Sequence, residues 1–155
     1  LGAQAVVCLG GFADLSPEER AAMKGFADAL RGGADVRKAL PARFLSPGHR
    51  ALRPIDDLAV EAWADLAPSA VLIEELGGLA AAPSLLPRLG QLPMPVIARA
   101  GELDVAVPPS HARAIAAALP RGVAEIVPGA GHALLLEDRA GIVGTIRRAA
   151  GLPPA

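Results

Sequence analysis

Apolar residues fall along this chain in two rhythms. Residues 5–9, AVVCL, form a short continuous apolar run closed by Gly10 and Gly11. Such a run suits a strand buried on both faces of a parallel sheet, although by pattern alone a piece of buried helix suits it as well. From 14 to 92 the spacing becomes helical. SPEERAAMKGFADALRGG predicts a helix with Ser16 as N-cap and Pro17 at its first position. Glu18 and Glu19 lie in its first turn, where the helix dipole favours them, and Gly32–Gly33 supply the stop. DVRKALPARFL, which includes Val36, predicts a shorter helix broken or bent near Pro41. PIDDLAVEAWADL predicts a third, with Leu58, Ala62 and Leu66 on its apolar side and Pro68 ending it, and SAVLIEELGGL a fourth.

From residue 93 the rhythm alternates. PVIARAG reads as a strand, PPSHARAIAAALP as a helix, VAEIVPG as a strand and RAGIVGTIRRAAG as a final helix. Strand, helix, strand, helix predicts a parallel sheet with crossover helices. A run of helices with no strand between them predicts an insertion over that sheet. The expected organisation is therefore a core strand in 1–13, a helical cap in 14–92 and a C-terminal core in 93–155.

Composition narrows the class. The chain has 155 residues, 52% of them hydrophobic, enough for one domain with a buried core. Aromatic residues make up only 3%, so the core must be built from Ala, Leu, Val and Ile. With 15 basic and 16 acidic residues there is no basic surface to suggest nucleic acid. No apolar run reaches the roughly 20 residues of a membrane span, so no membrane partner is expected. The single Cys8 suits a reducing, cytoplasmic compartment. The start, LGAQAVVCLGG, carries no basic signal-peptide head and runs almost at once into an apolar strand, as expected of a chain cut from a longer one.

The candidate chemistry lies at the ends of the last two strands. In parallel sheets, ligands gather at the carboxyl ends of strands. Asp104 lies just past one such end, in AGELDVAVP, and His132 just past the next, in PGAGHALLLED. A carboxylate that accepts a hydrogen bond from one imidazole nitrogen fixes the tautomer and stabilises the imidazolium, which frees the other nitrogen to take a proton from a nucleophile. Gly129 and Gly131 would let the loop turn the ring into the site.

The stretch PVIARAGELDVAVPPSHARAIAAALPRGVAEIVPGAGHALLLED resembles the C-terminal part of the α/β-hydrolase fold. SPEERAAMKGFADALRGG, FLSPGHR and LLPRLGQLPMPVIARAGELD are similar to the branch that includes 3-oxoadipate enol-lactonases and related small esterases. The likeness covers almost the whole chain. It implies an α/β fold made of the C-terminal part of the hydrolase sheet plus an inserted helical cap. It also implies an ester- or lactone-hydrolysing enzyme with Asp104 as triad acid and His132 as base, needing no metal or organic cofactor. The three histidines are far apart and lack ligand spacing.

The chain departs from the family in one large respect. The nucleophile elbow, G-x-S-x-G, precedes the sixth strand in these enzymes. None of Ser16, Ser46, Ser69, Ser84 and Ser110 has glycines two residues away on both sides. The expectation is that nucleophile and oxyanion donors come from a missing N-terminal half, and that this chain alone is inactive. Its first strand would then expose an unpaired edge, so the chain is expected to pair with that half or to self-associate.

Several other readings stand beside this one. VVCLGG resembles the cysteine elbow of dienelactone-hydrolase-like members, with Cys8 as nucleophile; a buried, inert cysteine is the competing reading. In some relatives the acid follows the sixth strand, which here would be Asp14. Phe12 and Trp63 are candidates to line the substrate pocket, though either could fill a core instead. His49 and His111 are expected to be solvated. Asp56 with Asp57 and Glu74 with Glu75 are helical neighbours that do not face one another, so paired acid–base work is not expected of them. From another functional class, a catalytically silent binding module or subunit would have the same fold.

Overall fold

The computed structural model describes residues 3–35, 37–66 and 69–153, without the side chains of 64–66 and 69. Val36, Pro68 and the side chain of Leu66, all used above to place helices, lie outside the described residues.

Three strands form one parallel sheet in the order β1-β2-β3: Val6–Leu9, Val96–Gly101 and Gly122–Val127. Cys8 pairs with Ala98, and Ala98 with Ala124. The AVVCL run is thus a strand, and the helical alternative falls away. β1 and β3 are edge strands among the described residues.

Between β1 and β2 the described residues form α-helices α1 (Pro17–Arg31), α2 (Leu40–Phe44), α3 (Pro47–Leu52), α4 (Ile55–Leu66), α5 (Ser69–Ala81) and α6 (Leu86–Leu89). α7 (Ser110–Ala117) joins β2 to β3, and α8 (Leu134–Glu137) and α9 (Arg139–Ala149) follow. α1 begins as its sequence dictates. The Ser16 hydroxyl accepts from the Glu19 N–H and the Glu19 carboxylate accepts from the Ser16 N–H, two backbone donors satisfied reciprocally. The segment around Pro41 divides into a 3₁₀ turn at Arg37–Ala39 followed by α2, with Pro41 inside the first turn, where its missing N–H is no loss.

Two apolar layers sandwich the sheet. On one face Val96, Ala98 and Ala100 meet Ala112, Ile115 and Leu119, with Cys8, Leu86, Leu89 and Leu92 alongside. On the other, Leu9 and Val127 pack with Ala130, Leu134 and Ile142. Small alanines on β2 let α7 approach closely, which is how a core with so few aromatics fills its volume. Arg99 points into the second layer and ties β2 to β3 and α9 through Glu125, Asp138 and Thr145. Burial works against the Arg99 charge, but hydrogen bonds to Asp138 and Glu125 outweigh it and hold its pKa above the ordinary value. Its Nε is buried without a partner among the described residues.

A third cluster joins the inserted helices to the end of the sheet. Leu40, Leu45 and Val60 pack with Ala133, flanked by Phe26, Phe44 and Leu136. This corrects the expected face of α4. Leu58 and Ala62 are exposed, while Val60 is wholly buried. The helix is apolar on several sides, and its neighbours decide which side is covered.

Candidate active site

The loop after β2 carries Asp104, and the loop after β3 carries His132. Their side chains meet, with His132 Nδ1 2.8 Å from Asp104 Oδ2. The other carboxylate oxygen, Oδ1, accepts from the Ala106 N–H at 2.9 Å and the Val107 N–H at 2.8 Å. The Asp104 side chain has no solvent exposure, whereas that of His132 retains 29%. A buried carboxylate is costly unless hydrogen-bonded, and here three donors converge on it. An ionised carboxylate only accepts, so Nδ1 carries the hydrogen that it donates to Asp104. Nε2 is left as an acceptor, with no protein partner among the described residues.

The imidazole is held from several sides and open on one. Gly10, at the end of β1, has φ +56°, and a Cβ there would lie 3.0 Å from Cε1 of His132. The ring therefore rests against a position where only glycine serves, for conformation and for space. The Phe44 ring lies opposite, with centroids 5.2 Å apart. The loop itself is anchored by Glu137, whose Oε1 accepts from the Ser46 N–H at 3.0 Å and whose Oε2 accepts from the Gly131 N–H at 3.1 Å. The Ala133 N–H donates to the Phe44 carbonyl at 2.9 Å. One carboxylate thus clamps the histidine loop to the start of α3. Of the two loop glycines, Gly129 takes a positive φ of 69°, whereas Gly131 is required by crowding. A Cβ at Gly131 would lie 2.8 Å from Glu137 Oε1, the Phe44 carbonyl and the Ser46 nitrogen.

His132 opens onto a cavity of about 870 Å³. One face of α1 lines it through Glu19, Ala22, Met23, Phe26 and Leu30, and the neighbouring α5 lines it through Leu72, Leu76 and Leu79. Phe12 and Trp63, both candidates from the sequence, lie in its wall. Phe12 also meets His111 edge-on.

The other candidates are elsewhere. Asp14 accepts from the Leu15 N–H and pairs with Arg20, so the acid that reaches His132 is Asp104. Cys8 sits within β1, partly buried, with its sulfur folded over Gly11. Ser16 and Ser46 cap helices. The expectation that His49 and His111 are solvated is corrected. His49 Nε2 lies 2.8 Å from Asp56 and His111 Nε2 2.7 Å from Glu19, with side-chain exposures of 11% and 13%. Both carboxylates are pulled in by tertiary contacts that local pattern does not reveal. Burial pushes the Glu19 pKa up, but hydrogen bonds from the Ser16 N–H and His111 more than offset it and hold it below the ordinary value. Among the described residues no group of three His, Cys, Asp or Glu side chains is arranged to hold a metal ion, and no helix is long and apolar enough to cross a membrane.

No family model and no curated protein matches the chain. Solved structures do. A thermophilic esterase from Thermogutta terrifontis superposes with a TM-score of 0.82 at 20% identity, over 96% of this chain and 56% of its own. The fold is that of the C-terminal part of an α/β-hydrolase. An α/β-hydrolase from a Medee basin deep-sea metagenome library (TM-score 0.73, 17% identity) matches 98% of this chain and 57% of its own. The enol-lactonase from Burkholderia xenovorans (TM-score 0.77, 17% identity) matches 96% and 56%. The chain thus spans little more than half the length of these α/β-hydrolase structures. At such identities the likeness speaks for fold, and chemistry has to be argued from the site.

Proposed function

We propose that this chain is the acid–base portion of an α/β-hydrolase that cleaves carboxylic esters or lactones, with the nucleophile supplied by a segment outside these residues. One observation carries the reading. Asp104 is buried and bound by three donors, one of them His132, whose second nitrogen has no partner among the described residues and lies at the wall of a large cavity.

In this reading His132 Nε2 takes the proton of the attacking hydroxyl, and Asp104 stabilises the imidazolium that forms. Nε2 then gives that proton to the leaving alcohol oxygen, which leaves an acyl-enzyme. Water attacks the acyl carbon with Nε2 again as base, and the proton returns to the nucleophile as the acid departs. Residues 14–92 act as the cap over the site, with Phe12 and Trp63 in the substrate pocket. The nucleophile-bearing segment joins the open edge of β1, which brings an attacking oxygen to the same sheet end. Neither a metal nor an organic cofactor takes part. A single free cysteine suits work in the cytoplasm.

The test is hydrolysis of aryl esters and small lactones by the assembly that includes the nucleophile segment, comparing wild type with His132→Ala. The expected loss is at least about a thousandfold in kcat. Unchanged hydrolysis in the variant would contradict the proposal. Ligand binding without hydrolysis in the wild type would favour a silent binding module.

A further inference from the structure

The cavity indicates what kind of acyl group the site takes. Resting on the hydrolase reading above, we infer that the substrate carries a long, unbranched apolar acyl chain, laid along α1 with its carbonyl at His132.

The argument begins with the walls. Along α1, Met23, Phe26 and Leu30 line the cavity, and so do Leu72, Leu76 and Leu79 of α5, which packs against α1. These positions recur three or four apart, so each helix turns one continuous apolar stripe toward the cavity. Apart from Arg43 and His132, the charged and titratable residues on its wall are paired with one another. Glu19 holds His111, and Asp35 holds Arg37. Such pairs offer little to a polar substrate and do not repel an apolar one. The cavity measures about 870 Å³ before the nucleophile-bearing segment of the reading above adds its own wall, so its length along α1 says more than its volume. The lining of α1 from Glu19 to Leu30 rises about 16 Å at 1.5 Å per residue, close to the length of an extended chain of roughly twelve carbons. An empty apolar cleft of that length gains from each methylene it takes out of water.

Trp63 supplies the readout. It lies in the cavity wall and is the chain's one tryptophan, with no tyrosine present. Its fluorescence can follow the binding of a homologous series of methyl ketones, from butanone to dodecanone, to the full chain. These ligands mimic the acyl end and cannot be hydrolysed. Affinity is expected to rise about three- to fourfold with each added methylene until the cavity is filled. Ala22→Phe, which places a ring in the cavity, is expected to remove the gain for the longest members. Ala21→Phe, next to it on α1 but outside the lining, is expected to keep that gain. Affinity independent of chain length in the wild type overturns the inference, whatever the variants do. So does an Ala22→Phe series that matches wild type. Because no bond is cleaved, the result is separate from the hydrolase reading. Flat affinities with intact hydrolysis would remove only the long-chain claim, and length-dependent binding without hydrolysis would remove only the chemistry.

Discussion

Asp104 reaches His132 with one oxygen while its other oxygen is taken by the Ala106 and Val107 N–H groups. The backbone therefore aims the carboxylate, and the carboxylate aims the ring. Asp104→Asn presents an amide of the same shape, which can donate where the aspartate could only accept and so favours the wrong histidine tautomer. Activity of the assembled enzyme is expected to fall by about 10³–10⁴ in kcat with the fold retained. The same variant should lose the downfield Nδ1 proton resonance of His132. A persistent resonance with full activity would argue against the pairing.

Glu137 is a second determinant of the histidine's position. Glu137→Gln retains one acceptor and sets an amide N–H₂ against one of the two backbone donors at Ser46 and Gly131. An unpaired, partly buried donor costs about 1–3 kcal/mol. A lower melting temperature is expected, together with faster hydrogen exchange at Gly131 or Ser46. Wild-type stability and exchange would mean that the clamp carries no weight.

Gly10→Ala places a methyl against the His132 ring and forces a non-glycine residue to positive φ. The backbone term alone is about 1–2 kcal/mol. The variant is expected to lose hydrolysis more than stability, because the ring must move before the strand does. A variant with unshifted His132 resonances would contradict this account of Gly10.

Glu125 predicts how stability depends on pH. Burial tends to raise its pKa, but hydrogen bonds from Thr145, Arg148 and Arg99 outweigh this and leave it below the ordinary 4.5. A carboxyl whose folded pKa is depressed contributes stability above its unfolded value and loses it as pH falls through the folded one. The chain should therefore lose stability as pH drops below about 4.5. Glu125→Gln should be less stable near neutrality and flatter in acid. A variant with the wild-type acid slope would assign that slope to other carboxylates.

Much of this was legible in residue order. The capping box of α1 needs only Ser16 and Glu19 three apart, so the helix start could be read directly. β2 and β3 were short, mostly apolar stretches separated by one helical stretch, and the two residues just past their ends proved to be in contact. What escaped depended on tertiary neighbours. Val60 rather than Leu58 is buried in α4 because α2 and the histidine loop lie on that side. His111 is shielded because Glu19 arrives from a helix far away in sequence. Glu137 carries no local signal in ALLLED, and its role exists only once the Phe44–Ser46 segment folds over the loop.

The central claim is that His132 serves a nucleophile that lies outside these residues. The measurement that tests it most directly is fluorophosphonate labelling of the assembled protein, followed by peptide mapping. The account predicts a label on a serine beyond this chain, lost in His132→Ala, and no label on the chain alone. A label on any of Ser16, Ser46, Ser69, Ser84 or Ser110, or labelling indifferent to His132→Ala, would contradict it.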